Sequence, residues 1–440
     1  MRDLALALLL IGVFPLSVKR PLVGLCVYLI ISIGVPHRLT FGFAYDFPWA
    51  QIFAIAVLAS VIFRREYSLA LQFNRWIIPL SFAIWTGITT AAAFSQDVAF
   101  TRWQDFLKVH LACLLILAIV RSYRDLIAVV ASIALPIAFY GVKGAAFMAT
   151  TGGEWRVFGP PESGFGDNNA LALALIFVLP MLYWLFTIAS NKYFKLILLG
   201  CIVGAVFSAL GSYSRGGFLG LGVVLIAYFM RSNHRFRFAM LSIPLLVIAL
   251  NFMPDKFWDR MKSIETYSSD NSSLERLNSW EAMYNIANAN ILGSGFSAYT
   301  NPASVIGYAP SLDFPVRAAH SIYFQVIGDH GWVGLFLYLA CIALAFLQVQ
   351  RFIKQAKSKA CPERVLLGYA LQASILAYCA SGTFLSMSYW EAVWYIFAVC
   401  AVLKRLGVQE TVSQSATKIS GLSSGIAPTS RNRRGFDLQS

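Results

Sequence analysis

The chain has 440 residues, of which 58% are hydrophobic and 13% charged, and a formal net charge of +14. A soluble domain carries about a quarter charged residues, so this composition excludes an ordinary soluble enzyme and points to a chain housed in lipid. The positive balance lies in short gaps between apolar runs, which reads as membrane topology rather than nucleic-acid binding.

About thirteen apolar runs follow one another, at 4–18, 21–36, 49–63, 76–95, 107–120, 126–148, 169–190, 195–212, 216–230, 238–253, 321–349, 365–385 and 389–403, and most approach the ~20 residues that cross hydrocarbon. The expected fold class is all-α: a polytopic integral membrane protein of about 12 transmembrane helices with one large outer helical loop. Its parts are an N-terminal bundle (1–253), the loop (254–320), C-terminal spans (321–406) and a disordered cytoplasmic tail (407–440), polar and rich in Ser, Thr and Gly. Arg2 and the first run lead into Lys19-Arg20 with no small-residue cleavage site, so that run is expected to be retained.

Basic residues mark alternate gaps: Lys19/Arg20, Arg64/Arg65/Arg75, Arg121/Arg124, Lys192/Lys195, Arg231/Arg235/Arg237, Arg351 to Arg364, and Lys404/Arg405. The positive-inside rule makes these cytoplasmic and puts 37–48, 96–106, 149–168, 213–215, 254–319 and 386–388 outside. The aromatic gap His37–Trp49 reads as an interfacial belt. His110 lies inside a run, where bonding to a neighbouring helix explains it as well as chemistry does. The gap 149–168 contains Arg156, which could pair with Glu154 or Glu162 or serve an anion, and it leads into Asp167, an ordinary helix cap.

Between two spans stands Ser212-Tyr213-Ser214-Arg215-Gly216-Gly217. Gly216 and Gly217 opening a helix expose backbone N–H groups at its positive end, and Arg215 adds a bidentate phosphate donor. The long outer segment Met253–His320 is the other concentration of chemistry, because loops of this length are uncommon without a function. Pro254–Glu265 reads as a short helix. Ser272-Ser273-Leu274-Glu275 reads as a capping box opening a helix through Arg276, Trp280, Met283, Tyr284 and Ala287, which ends before Gly293 and Gly295. Arg276 in a first helical turn suits a bound anion. Pro315 reads as a helix start, which would put Arg317 and His320 on one face at the mouth of the next span. His330, ten residues further on, reads as structural. Six of the seven cysteines lie in apolar runs and none in an outer gap, so no disulfide framework is expected. No Cys/His spacing suggests a metal site.

Taken together, the Ser-Arg-Gly-Gly turn, the Arg-x-x-x-Trp helix (Arg276 to Trp280), Gly-x-Gly (Gly293, Gly295), and His320-Ser321 followed by Gly331 resemble the O-antigen ligase family. The opening, with Pro36-His37-Arg38-Leu39-Thr40 and Phe43–Pro48, is similar to the subgroup of O-glycosylation ligases linked to exosortase systems. The resemblance implies a GT-C-like architecture in the bacterial inner membrane. It also implies transfer of a polysaccharide from undecaprenyl diphosphate to an acceptor on the periplasmic face, usually lipid A-core, with no metal and no cofactor. It places Arg215 and Arg276 on the diphosphate and His320 at the acceptor hydroxyl; Arg156, Arg317, Gly216 and Gly217 are secondary candidates read from the residues. Attack at an anomeric carbon needs a base and stabilisation of the departing diphosphate, roles a histidine and two arginines supply. Arg317 is expected to hold His320 neutral. An O-antigen or capsule polymerase and a protein O-glycosylation ligase use the same donor. A lipid-linked-sugar transporter fits less well, because the runs hold few ionisable groups.

Overall fold

The computed structural model describes residues 1–64, 73–231, 235–251, 253–262 and 271–423. Helices are the only regular elements among them. In chain order they are α1 (Arg2–Lys19), α2 (Pro21–Gly34), α3 (Trp49–Phe63), α4 (Ile77–Ala91), α5 (Gln96–Ile119), α6 (Tyr123–Thr151), α7 (Asn168–Ile188), α8 (Lys192–Gly211), α9 (Arg215–Arg231), α10 (Arg235–Asn251), α11 (Asp255–Lys262), α12 (Asn271–Ala289), α13 (Ile322–Ser358), α14 (Pro362–Gly382) and α15 (Glu391–Ser423). Side-chain caps open several: Ser122 and Asp125 form a capping box on α6, and Asp167, Asn191 and Ser321 accept from the first free N–H groups of α7, α8 and α13.

Among the described residues five helices, α6, α7, α8, α13 and α14, are long and apolar enough to cross a membrane, and α2, α3 and α4 are shorter apolar helices. Side chains such as Leu196 (66% exposed), Ile197 (60%) and Phe336 (71%) project outward from them. A surface of this kind is unfavourable in water and suits lipid, where only internally hydrogen-bonded helices or closed barrels persist. The protein is thus a multi-pass helical membrane protein.

Two helices are buried on every side along much of their length: α7 over 170–178 and α15 over 392–403. Apolar all-round helices belong at the centre of a bundle. Phe82 of α4 stacks on Trp394 of α15 with centroids 5.6 Å apart and 7° between planes, and Phe106 of α5 meets the same Trp394 edge-on at 5.1 Å.

Hydrogen bonds among helix ends and the gaps beside them mark the two ends of the bundle. At one end Gly42 N–H donates to Asp3, Val157 N–H to Gly211 O and Phe94 N–H to Ser294 O. At the other, Arg64 donates to Lys19 O, Arg405 to Leu117 O and the Trp184 indole to Glu363 O. The basic gaps gather at this second end, and the long loop lies at the first.

Some expectations change. The gap 96–106 is the opening of α5, not a loop. The backbone of 407–423 continues α15 as helix where the composition reads as a tail; propagating a formed helix is far easier than nucleating one, and no proline intervenes before Pro428. Residues 424–440 lie outside the described residues, as do 263–265 of the short helix expected over Pro254–Glu265.

Candidate functional site

The turn before α9 is built from small hydroxyl side chains. Ser212 Oγ donates to Ala209 O at 2.6 Å and accepts from Ser214 N–H, while Ser214 Oγ accepts from Gly217 N–H at 3.1 Å and so caps α9. Tyr213 between them takes a left-handed backbone (φ 57°), and its hydroxyl donates to Gly153 O. Asn168 at the start of α7 donates to Ser212 O at 2.8 Å, fixing the turn against that helix. Arg215 is the first residue of α9 and half-buried. Gly216 and Gly217 allow close packing: a Cβ on Gly217 would come within 2.7 Å of the Ala172 Cβ, and Gly216 O accepts from Ser381 Oγ of α14 at 2.8 Å.

The second component is α12. Its expected helix is present, but it begins at Asn271, so Ser272 sits within the helix and not at its cap. The Ser272 side chain of the expected capping box lies outside the described residues, and the Glu275 carboxylate lies 3.4 Å from Arg317 Nε. Trp280, one turn beyond Arg276, stacks on Phe324 of α13 (4.9 Å, 8°) and lies 6.3 Å from Phe384, which also borders Gly216. Arg276 therefore stands beside the start of α13, and a short aromatic bridge leads from it to the head of α9.

The segment before His320 corrects the sequence reading. Pro315 starts no helix, and Arg317 and His320 share no helical face: residues 315–319 carry no regular structure and α13 begins at Ile322. The side chains of α12 capture this backbone instead. Asn278 donates to Phe314 O at 2.7 Å and accepts from Ser311 N–H at 3.1 Å; Ser279 Oγ accepts from Arg317 N–H at 3.1 Å; Trp280 Nε1 donates to Ala319 O. With its polar groups satisfied from the side, the segment gains little by coiling. His320 closes it in a left-handed conformation (φ 45°), a costly backbone for a non-glycine residue of the kind found at functional sites.

The His320 imidazole is half-buried and makes no hydrogen bond with the described residues. Its pKa lies below the usual histidine value, first because burial disfavours the cation and next because Arg276 is close; Asp167 opposes this, Arg317 adds a smaller push downward and Glu275 a smaller one upward. The expectation for Arg317 is thus right in direction but secondary in rank, since Arg317 is 63% exposed and paired with Glu275. Asp167, read only as a cap, is also the carboxylate with the larger influence on His320.

The structure thus brings Arg276, Arg317 and His320 together and sets Arg215 one layer of packing away. Arg156 stands apart. Neither acidic neighbour pairs with it, as Glu154 bonds Lys256 and Glu162 bonds Arg38, each at 2.8 Å. It borders instead a cavity of about 570 Å³ with Trp155, Phe158, Tyr213, Lys256 and Asp259.

The Gly-x-Gly motif has a mechanical role. Gly331 (φ 66°, ψ −171°) breaks α13 after its first turns, which leaves the carbonyls of Gly328 and Asp329 without helical partners. The 293–295 loop supplies them: Ser294 N–H donates to Gly328 O at 2.9 Å and Gly295 N–H to Asp329 O at 2.8 Å. Asp329 is 3% exposed and accepts from the Tyr389 hydroxyl at 2.9 Å. It was hidden from sequence reasoning by the apolar residues around it. Beside it, His330 Nδ1 lies 2.7 Å from Thr89 Oγ1. His110 bonds the carbonyls of Phe106 and Pro79. Both histidines sit among aromatic rings.

Residues 199–339, which include the Arg215 turn, α12, His320 and the broken start of α13, match the family model described as O-Antigen ligase. That stretch, less than half of the chain, is similar to the O-antigen ligase family. Residues 1–190 match a family of unknown function. No curated protein matches the chain. The match supports a membrane glycosyltransferase-type activity as in O-antigen ligases and polymerases, and the matched stretch includes Arg215, Arg276, Arg317 and His320 but not Arg156.

Proposed function

We propose that the protein transfers a polysaccharide from undecaprenyl diphosphate to a hydroxyl of lipid A-core at the periplasmic face of the inner membrane, within a GT-C-like bundle of about 12 crossings. The observation that carries this reading is the half-buried His320, held neutral beside Arg276 at the head of α13, with Arg215 opening the neighbouring α9. His320 takes the proton from the acceptor hydroxyl, whose oxygen forms the new bond to the anomeric carbon. The bond from that carbon to the diphosphate breaks, and its electron pair leaves with the diphosphate, where Arg215 and Arg276 offset the growing charge without a divalent metal. Asp167 and Glu275 then favour the imidazolium that forms. Single displacement inverts the anomeric centre. The mixed aromatic and charged cavity at Trp155 and Arg156 suits sugar contact better than phosphate, because its two cations are matched by Glu154 and Asp259.

The test is transfer by the purified protein from a lipid-linked glycan to lipid A-core, with and without a chelator. Chelator-insensitive product of inverted configuration is expected. Retained configuration would overturn the single displacement, and product only on a glycan or protein acceptor would replace the ligase reading with the polymerase or protein-ligase one.

A further inference from the structure

Four helices that meet at the candidate site also meet at the opposite end of the bundle. Asn168, Arg215, Ile322 and Gly382 are the site ends of α7, α9, α13 and α14. Their other ends enclose a cavity of about 620 Å³ whose lining includes Tyr183, Tyr228, Arg231, Lys357, Leu366 and Tyr369. From Arg215 to Arg231, α9 rises roughly 24 Å, so this cavity is remote from the transfer chemistry.

Two cations share one ring there: the Arg231 guanidinium lies 5.1 Å and the Lys357 ammonium 5.6 Å from the Tyr369 centroid. Arg231 is oriented by a bond of 2.6 Å to Gln372 Oε1, and Gln372 in turn donates to Gln350 at 2.8 Å. Among the described residues no carboxylate forms an ion pair with either cation. Both cations border the same ring, and an anion that reaches both gains from each charge. The remaining walls are tyrosine rings, Cys361 and aliphatic side chains, a mostly apolar surface that suits an acyl or glycerol moiety better than a hydrated inorganic ion.

We propose that this cavity binds the phosphodiester headgroup of an anionic phospholipid, with the phosphate between Arg231 and Lys357. The lipid source follows from position: the cavity opens at the basic end of apolar spans, where an anionic leaflet is held by positive side chains. A lipid bound here ties the far end of α9 to α13 and α14, and so fixes the helix whose near end carries Arg215.

The test is native mass spectrometry of the delipidated full chain in detergent, titrated with phosphatidylglycerol, with phosphatidylcholine of the same acyl chains, and with inorganic phosphate as competitor. One tightly held phosphatidylglycerol is expected, and Arg231→Gln or Lys357→Ala should each weaken it about fivefold. Lys354→Ala, an equal loss of charge on the same helix but outside the cavity lining, should leave it unchanged. Lys357 is exposed, so its variant keeps the test decisive should Arg231→Gln fold poorly. Equal retention of both lipids, equal loss with Lys354→Ala, or displacement by millimolar phosphate would each overturn the proposal.

Discussion

The two ends of α9 each carry an arginine, and the helix treats them differently. Arg231 stands at the C-terminus, where the helix dipole favours a cation, and Gln372 holds its guanidinium. Arg215 stands at the N-terminus, where the dipole disfavours a cation and favours an anion, and where Ser214 Oγ takes the Gly217 N–H. An arginine at a C-terminus is therefore unremarkable, and only the cavity and the second cation give Arg231 a meaning. At an N-terminus the same residue works against the helix dipole, and the proposed diphosphate is a ligand that would offset this.

Breaking this contrast should give the largest effect. Arg215→Gln is expected to lower kcat by about 100-fold or more, as loss of a charge-stabilising donor does, while Arg231→Gln should stay within about twofold in the same transfer assay. Glycine positions sharpen it structurally. Gly331→Ala forces a Cβ against Ile291 O at a positive φ and should cost about 2 kcal/mol or more, visible as a lower Tm. Gly222→Ala, in open space on α9, should be neutral or stabilising by up to ~1 kcal/mol. In the sugar-facing cavity, Trp155→Ala should raise KM for the lipid-linked donor a few-fold with little change in kcat, since it removes binding common to ground and transition states.

The smallest effect is electrostatic. Because burial and Arg276 depress the His320 pKa below 6.5, His320 stays neutral until the pH falls below that value, and the acidic limb of the pH–rate profile should lie there. Arg317→Ala removes a nearby positive charge and should move the limb slightly upward. Asp167→Asn preserves a helix cap but removes the carboxylate that favours the cation, and should move the limb further, downward.

Much of this was legible in the amino-acid order. Apolar runs mark the spans, Ser-Arg-Gly-Gly marks the head of α9, and the 3–4 spacing from Arg276 to Ala287 marks α12, because local propensity and burial agree there. The path of 311–320 was not legible. Pro315 signals a helix start, but Asn278, Ser279 and Trp280 take its backbone groups from the side, a contact invisible to local pattern. Asp329 was hidden for a similar reason: its partners, Tyr389 and Ser297, are distant in sequence and meet it only where Gly331 interrupts α13. The pairing of Glu275 with Arg317, 42 residues on, is likewise invisible to local pattern.

The most direct measurement is the single-turnover transfer rate of His320→Ala beside the unaltered protein, with donor binding measured on the same samples. Donor affinity is expected to stay within a few-fold and transfer to slow by about 100-fold or more, the usual loss for a general base. Transfer at the original rate with donor binding intact would remove His320 from the chemistry and with it the central claim.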